Sequence, residues 1–132
     1  MNGKRTGKNL LNPNITWTAG IRDDNGNIVS GSSHFTNAVY GIKPNTKYTI
    51  SGTLQVATTD AHRIYFLKAD GTWISRTGTS TQSPHTFTTP SECGAIQIQV
   101  TGALTELGDV QLEEGSTATT YEPYSGTTLS VS

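Results

Sequence analysis

Sulfur chemistry is nearly absent from this sequence, with a single cysteine, Cys93, among 132 residues. One cysteine cannot close an internal disulfide, so no disulfide framework holds the chain together. Long apolar runs are missing too. None approaches the roughly 20 residues that a membrane-spanning helix needs. The basic start Met1-Asn2-Gly3-Lys4-Arg5-Thr6-Gly7-Lys8 has no apolar stretch behind it and is no secretory signal. Charge is sparse, at 14% of residues and a net −1. That balance argues against a nucleic-acid partner, which requires a basic surface. Helical periodicity is also lacking, because no segment sustains apolar residues at three- and four-residue spacing.

What is present is alternation. In Ala95-Ile96-Gln97-Ile98-Gln99-Val100 the aliphatic residues take one face of a strand and the glutamines the other. In Tyr48 to Val56, one face carries Tyr48, Ile50, Leu54 and Val56, and the other Thr49, Ser51, Thr53 and Gln55. Arg63-Ile64-Tyr65-Phe66-Leu67 sends Ile64 and Phe66 inward and Arg63, Tyr65 and Leu67 outward. Turn signals separate the runs. Asn25-Gly26 and Asp70-Gly71 are hairpin dipeptides that accept positive φ. The stretches around them, Arg22 to Ser30 and Leu67 to Ser75, resemble each other, which predicts two similar hairpins. Pro90 ends a short strand at His85 to Thr88. About eight to ten short strands without helices must pack sheet on sheet. The expected fold is an all-β, two-sheet antiparallel sandwich. Residues 9–124 form the expected module, with linkers at 1–8 and 125–132.

Catalytic patterns are weak. His34, His62 and His85 lack metal-ligand spacing. Cys93 has no nucleophile motif around it. Asp23-Asp24 and Glu113-Glu114 are adjacent pairs whose side chains point to opposite faces of a strand, so neither pair flanks one glycosidic bond. The Asp23-Asp24-Asn25-Gly26 run is read as a hairpin rather than a calcium loop, because an EF-hand's terminal Glu and its helices are missing.

Several segments then follow in a set order: Asn9-Leu10-Leu11, Asp23 to Ser30, Lys43-Pro44-Asn45-Thr46-Lys47-Tyr48-Thr49-Ile50-Ser51-Gly52, Ala69 to Ser75, Phe87-Thr88-Thr89-Pro90 and Gln111-Leu112-Glu113-Glu114-Gly115. In this order the chain resembles the carbohydrate-binding-module-like jelly-roll domains of bacteriophage and prophage tail, baseplate and receptor-binding proteins. The resemblance implies a non-catalytic module that attaches to bacterial cell-surface polysaccharide. It also implies other phage tail subunits as partners through a parent protein, no membrane insertion, and a place in the virion tail after synthesis in the bacterial cytoplasm. The alternative it leaves open is an assembly module with no sugar site. Related modules often hold a structural Ca²⁺. Asp109 stands where their late Asp ligand does, but the early acidic partner is missing, since Asn12-Pro13-Asn14-Ile15 follows the opening.

Sugar sites combine an aromatic platform with amide and guanidinium groups. Tyr65, Arg63, Gln97, Gln99 and Gln55 are the expected carbohydrate-binding face, all on outward strand positions. Trp73, Trp17, His34 and Tyr40 are candidate rim residues. Trp17 and Tyr40 are weighed first as core or sheet-edge packing, since large aromatics are mostly buried. Trp73 either joins the site or covers its own hairpin. The closing Tyr121-Glu122-Pro123-Tyr124 is read as structural, its rings packing over the end of the sandwich.

Overall fold

The computed structural model describes residues 8–12, 14–52, 61–100 and 110–124. Nine strands and no helix form among them: β1 (Trp17–Arg22), β2 (Ile28–Thr36), β3 (Val39–Tyr40), β4 (Lys47–Ser51), β5 (His62–Lys68), β6 (Trp73–Arg76), β7 (His85–Thr88), β8 (Cys93–Val100) and β9 (Gln111–Glu114). The larger antiparallel sheet runs β1-β2-β8-β5-β6, with β3 also on β8, and the smaller runs β7-β4-β9. The chain is an all-β, two-sheet antiparallel sandwich.

The alternating residues build the core as their spacing requires. Ile64 and Phe66 of β5 and Ile96, Ile98 and Val100 of β8 face Tyr48 and Ile50 of β4, Phe87 of β7 and Leu112 of β9 in one buried cluster. Phe66 and Phe87 meet across the sheets with centroids 5.9 Å apart. Non-polar burial of this kind is worth about 25 cal/mol per Å² removed from water. A polar pair also crosses the gap: His62 Nε2 of β5 lies 2.9 Å from His85 Nδ1 of β7. Only one of those two nitrogens can carry the bonding proton. Leu54, Val56 and Gln55 lie outside the described residues, where β4 ends at Ser51.

Both predicted hairpins form, with one hydrogen-bond frame. Asp23 N–H donates to Asn27 O and Gly26 N–H to Asp23 O; Lys68 N–H donates to Thr72 O and Gly71 N–H to Lys68 O. Gly26 and Gly71 take the matching positive φ of 83° and 89°, as a type I turn followed by a left-handed residue requires.

The two hairpins then diverge. The β1–β2 pair has a register break between Ala19 and Ile21. Gly20 sits there at φ 113°, where an added Cβ would lie 2.6 Å from Val29 O. The break lets the hairpin curl back over the outer face of its own sheet. Its tip residue Asp24 reaches Trp73 and Arg76 on β6, three strand spacings from β2, or about 14 Å.

The N-terminal segment is stitched to the other side. Leu10 N–H donates to Leu112 O. Buried Asn9 accepts from the Leu11 and Leu112 amides and donates to Val110 O and Glu122 O. Lys8 is tied in as well, through its amide to Glu122 Oε2 and its ammonium to Thr119 Oγ1.

Candidate functional site

The expected platform exists as a constellation, but it is closed. Tyr65, Gln97 and Gln99 do point away from the main core, yet they are 0%, 7% and 5% exposed. The curled hairpin lies over them. Tyr65 Oη accepts the Arg22 amide at 2.9 Å and donates to Gln99 Oε1. Gln97 donates to Thr36 O and accepts from Arg22 Nε. Phe35 and Trp73 each pack edge-on to Tyr65 with centroids 5.5 Å apart, and the Arg22 guanidinium lies over both the Phe35 and Trp73 rings. Burial raises the Tyr65 phenol, and the Arg22 amide bond and the charges of Arg63, Arg76 and Arg22 offset this only in part. This is a second, smaller core in which Tyr65, Gln97, the Gln99 oxygen and Arg22 are hydrogen-bonded among themselves and to the backbone, and Tyr65 is not an accessible sugar platform.

The other expected residues scatter. Trp73 covers the β1–β2 turn rather than its own: its Nε1 donates to Asp24 O, and a Cβ on Gly26 would lie 2.3 Å from the indole Cγ. Trp17 packs half-buried against the main core, the structural role weighed first for it. His34 is half-buried on β2, directly opposite Val100, on the face opposite to Tyr65. Arg63 is half-buried beside the second core. Gln55 and Asp109 lie outside the described residues.

Tyr40 is not in the core: it sits on the edge strand β3, 59% exposed, with its hydroxyl near Gly71 of the β5–β6 turn. It lines an open cleft of about 200 Å³ with Leu10, Asn12, Asn14, Asn37, Val39 and Tyr124 among its walls. The cleft has a local origin. Strands β2 and β3 occupy the same edge of β8 in succession, Phe35 opposite Gln99 and Val39 opposite Ile96. Between them the chain steps off the ladder at Asn37-Ala38. Side chains fill the gap in pairing: Ile98 N–H donates to Thr36 Oγ1. Asn37 turns to the segment before β1, accepting the Thr16 amide on its side-chain oxygen at 2.9 Å while its own amide donates to Thr16 O. Asn12 accepts the Asn14 amide in the same manner. Both asparagines thus spend their carbonyl oxygens on backbone, and neither Nδ2 has a partner among the described residues.

The closing signature positions the last wall. Gln111 and Glu113 are buried on the outer face of the small sheet. Gln111 Oε1 accepts the Glu122 amide at 2.8 Å, and Glu113 accepts from Gln111 Nε2 and from the Thr119 amide and hydroxyl. Burial alone would raise the Glu113 carboxyl. The bonds from Thr119 and Gln111, with the Lys8 charge, outweigh it and hold the group below the ordinary carboxylate range. These bonds fix residues 119–122 and so bring Tyr124 to the cleft. Of the two rings expected to pack over the end of the sandwich, Tyr124 is half-buried against the cleft, whereas Tyr121 is exposed. No sequence signal separates the two tyrosines.

Every described residue lining the cleft is neutral. The arrangement can therefore donate hydrogen bonds from amides and shelter a small apolar group on Val39 and Ile15, with Tyr40 bordering it from the other face of β3. Its described lining residues include no carboxylate, histidine, cysteine, lysine or arginine. Among the described residues no group of three or more His, Cys, Asp or Glu could hold a metal ion. Asp109, the Ca²⁺ ligand the resemblance implies, lies outside the described residues, and the segment after the opening offers amide oxygens and no carboxylate, with Asn12 accepting the Asn14 amide.

No protein-family model matches the chain, and no curated protein matches it. Among solved structures, a chain from the crystal structure of accessory secretory protein 1, 2 and 3 in Streptococcus pneumoniae is similar at 9% identity and a TM-score of 0.46, over 87% of this chain and 94% of that one. A likeness at that level carries no functional argument.

Proposed function

We propose that this chain is a non-catalytic carbohydrate-binding module of a phage tail or baseplate protein, and that it attaches to saccharides on the bacterial surface. The observation that supports this best is the neutral cleft between residues 10–15, the 36–40 step and Tyr124. An exposed tyrosine beside unpaired amide donors suits the alternating C–H and hydroxyl surface of a sugar. Its volume is below the roughly 300–1,000 Å³ of drug-sized ligand pockets, which suits one uncharged sugar unit rather than a long oligosaccharide. So small a contact binds weakly, and display of many copies on a tail would raise attachment about 10²–10⁴-fold. The phage-tail setting rests on the ordered sequence resemblance.

Binding of the tagged, bead-multimerised domain to bacterial cells and a glycan array, beside Tyr40→Ala, tests the proposal. Saturable binding that Tyr40→Ala weakens is expected. Absence of binding by multimerised wild type would transfer the assignment to an assembly module. That second reading draws on Ile28 and Val29, which are 55% and 39% exposed on the β1–β2 hairpin. It predicts concentration-dependent self-association in sedimentation.

A further inference from the structure

The second core contains an imbalance of charge. Three guanidinium groups, those of Arg22, Arg63 and Arg76, lie close enough to act on the Tyr65 hydroxyl. The carboxylate that answers them is Asp24, whose Oδ1 takes both Nε and Nη2 of Arg76, at 3.1 and 2.9 Å. The donors of Arg22 and Arg76 are otherwise placed: Arg22 on Gln97 and Gly26 O, Arg76 on Arg22 O. Arg63 is different. None of its guanidinium nitrogens has a hydrogen-bond or ion-pair partner among the described residues, and its Nε is buried and unpaired. Its cross-strand neighbour Gln99 uses its side-chain oxygen on Tyr65.

An unpaired buried N–H on a cation costs more than a neutral one, and such a group in a native structure calls for a physical explanation, of which a ligand is one. No described neighbour supplies the bond. Burial and the adjacent Arg76 charge both disfavour the charged form of Arg63, and Tyr65 and Asp24 compensate only partly. The cluster opens to solvent at Asp24, whose side chain is 87% exposed. A planar guanidinium fork matches a carboxylate or phosphate better than any other partner.

We infer that Arg63, beside Arg76, receives an oxyanion, a carboxylate or phosphate group carried by an acidic glycan. The carrier rests on the saccharide reading above; the anion does not. The cleft and this position would then read two features of one surface polymer, a neutral unit and an acidic one.

The test titrates the whole domain separately with inorganic phosphate, glucuronate and glucose, following the Arg Nε–Hε signals by NMR. Arg63→Lys identifies the Arg63 signal by its loss. Phosphate or glucuronate, and not glucose, should shift that signal saturably, and whichever acts names the source of the anion. With affinity read from backbone amide shifts, Arg63→Gln should weaken binding about tenfold, the scale of one charge-assisted bond. Asp24→Asn keeps an acceptor for Arg76 but removes the competing charge, and should tighten binding about threefold. Because Asp24→Asn predicts a gain, a misfolded Arg63→Gln protein leaves the inference testable. An unmoved Arg63 signal, an equal response to glucose, or equal anion affinity in wild type and a folded Arg63→Gln protein overturns it. Anion binding is measured without cells or polysaccharide, so its failure is separate from failure of cell attachment.

Discussion

Two regions of this molecule hold similar side chains and put them to opposite use. On the outer face of the large sheet, Tyr65 and the amides Gln97 and Gln99 are sealed beneath the β1–β2 hairpin and bonded to one another, to Arg22 and to the backbone. At the β2–β3 step, Tyr40 and Tyr124 stand with Asn12, Asn14 and Asn37 around an open cleft. Tyrosine beside amides is thus a site or a core according to what lies over it. A distant segment, curled at Gly20, decides the matter for Tyr65.

The sharpest way to break the comparison is Tyr65→Ala. If that face is a core, removing a fully buried aromatic should cost about 3–5 kcal/mol, seen as a large drop in the urea midpoint. Retained stability with lost sugar binding would reverse the two assignments.

The next effect sharpens the contrast through a buried polar group between the sheets that does not line the open cleft. His62 is buried, and desolvation, aided by the nearby His85, lowers its pKa from 6.5 to about 4. The unfolded chain therefore takes up the proton first as pH falls. Stability should be full above about pH 6.5 and decline until about pH 4, by on the order of 2–3 kcal/mol. Denaturant midpoints of wild type and His62→Gln across that range check it, since the variant should lose most of the slope. Sugar binding should track only the folded fraction.

Gly26→Ala should cost about 1–2 kcal/mol, because a side chain at φ 83° is strained and its Cβ would displace the Trp73 ring. A red-shifted tryptophan emission would report the loosened hairpin. Unchanged emission and stability would mean that the hairpin does not seal the face.

The sequence carried the strands well. Local alternation set the inward faces of β5 and β8, and Asn25-Gly26 and Asp70-Gly71 marked both turns, because those properties depend on near neighbours. It also carried the direction of Tyr65, away from the main core, but not what covers it. Coverage depends on the curl at Gly20, which brings residues more than 40 positions apart into contact. Leu67 held a clue: an apolar residue at an outward position, 2% exposed in the fold, implies a covering layer. The cleft was less legible still. It is made by a step off the ladder at Asn37-Ala38, which has no periodicity to read, and by Tyr124, placed there through the buried side chains of Gln111 and Glu113.

The smallest effect on stability belongs to the most direct test of the central claim. Tyr40 is exposed, so Tyr40→Ala should change stability by no more than about 0.5 kcal/mol. The measurement is binding of multimerised wild type and Tyr40→Ala to the same bacterial cells, with melting temperatures taken alongside. Wild-type melting with clearly weakened attachment is the predicted result. Attachment equal to wild type by a normally folded Tyr40→Ala protein would contradict the assignment of the cleft.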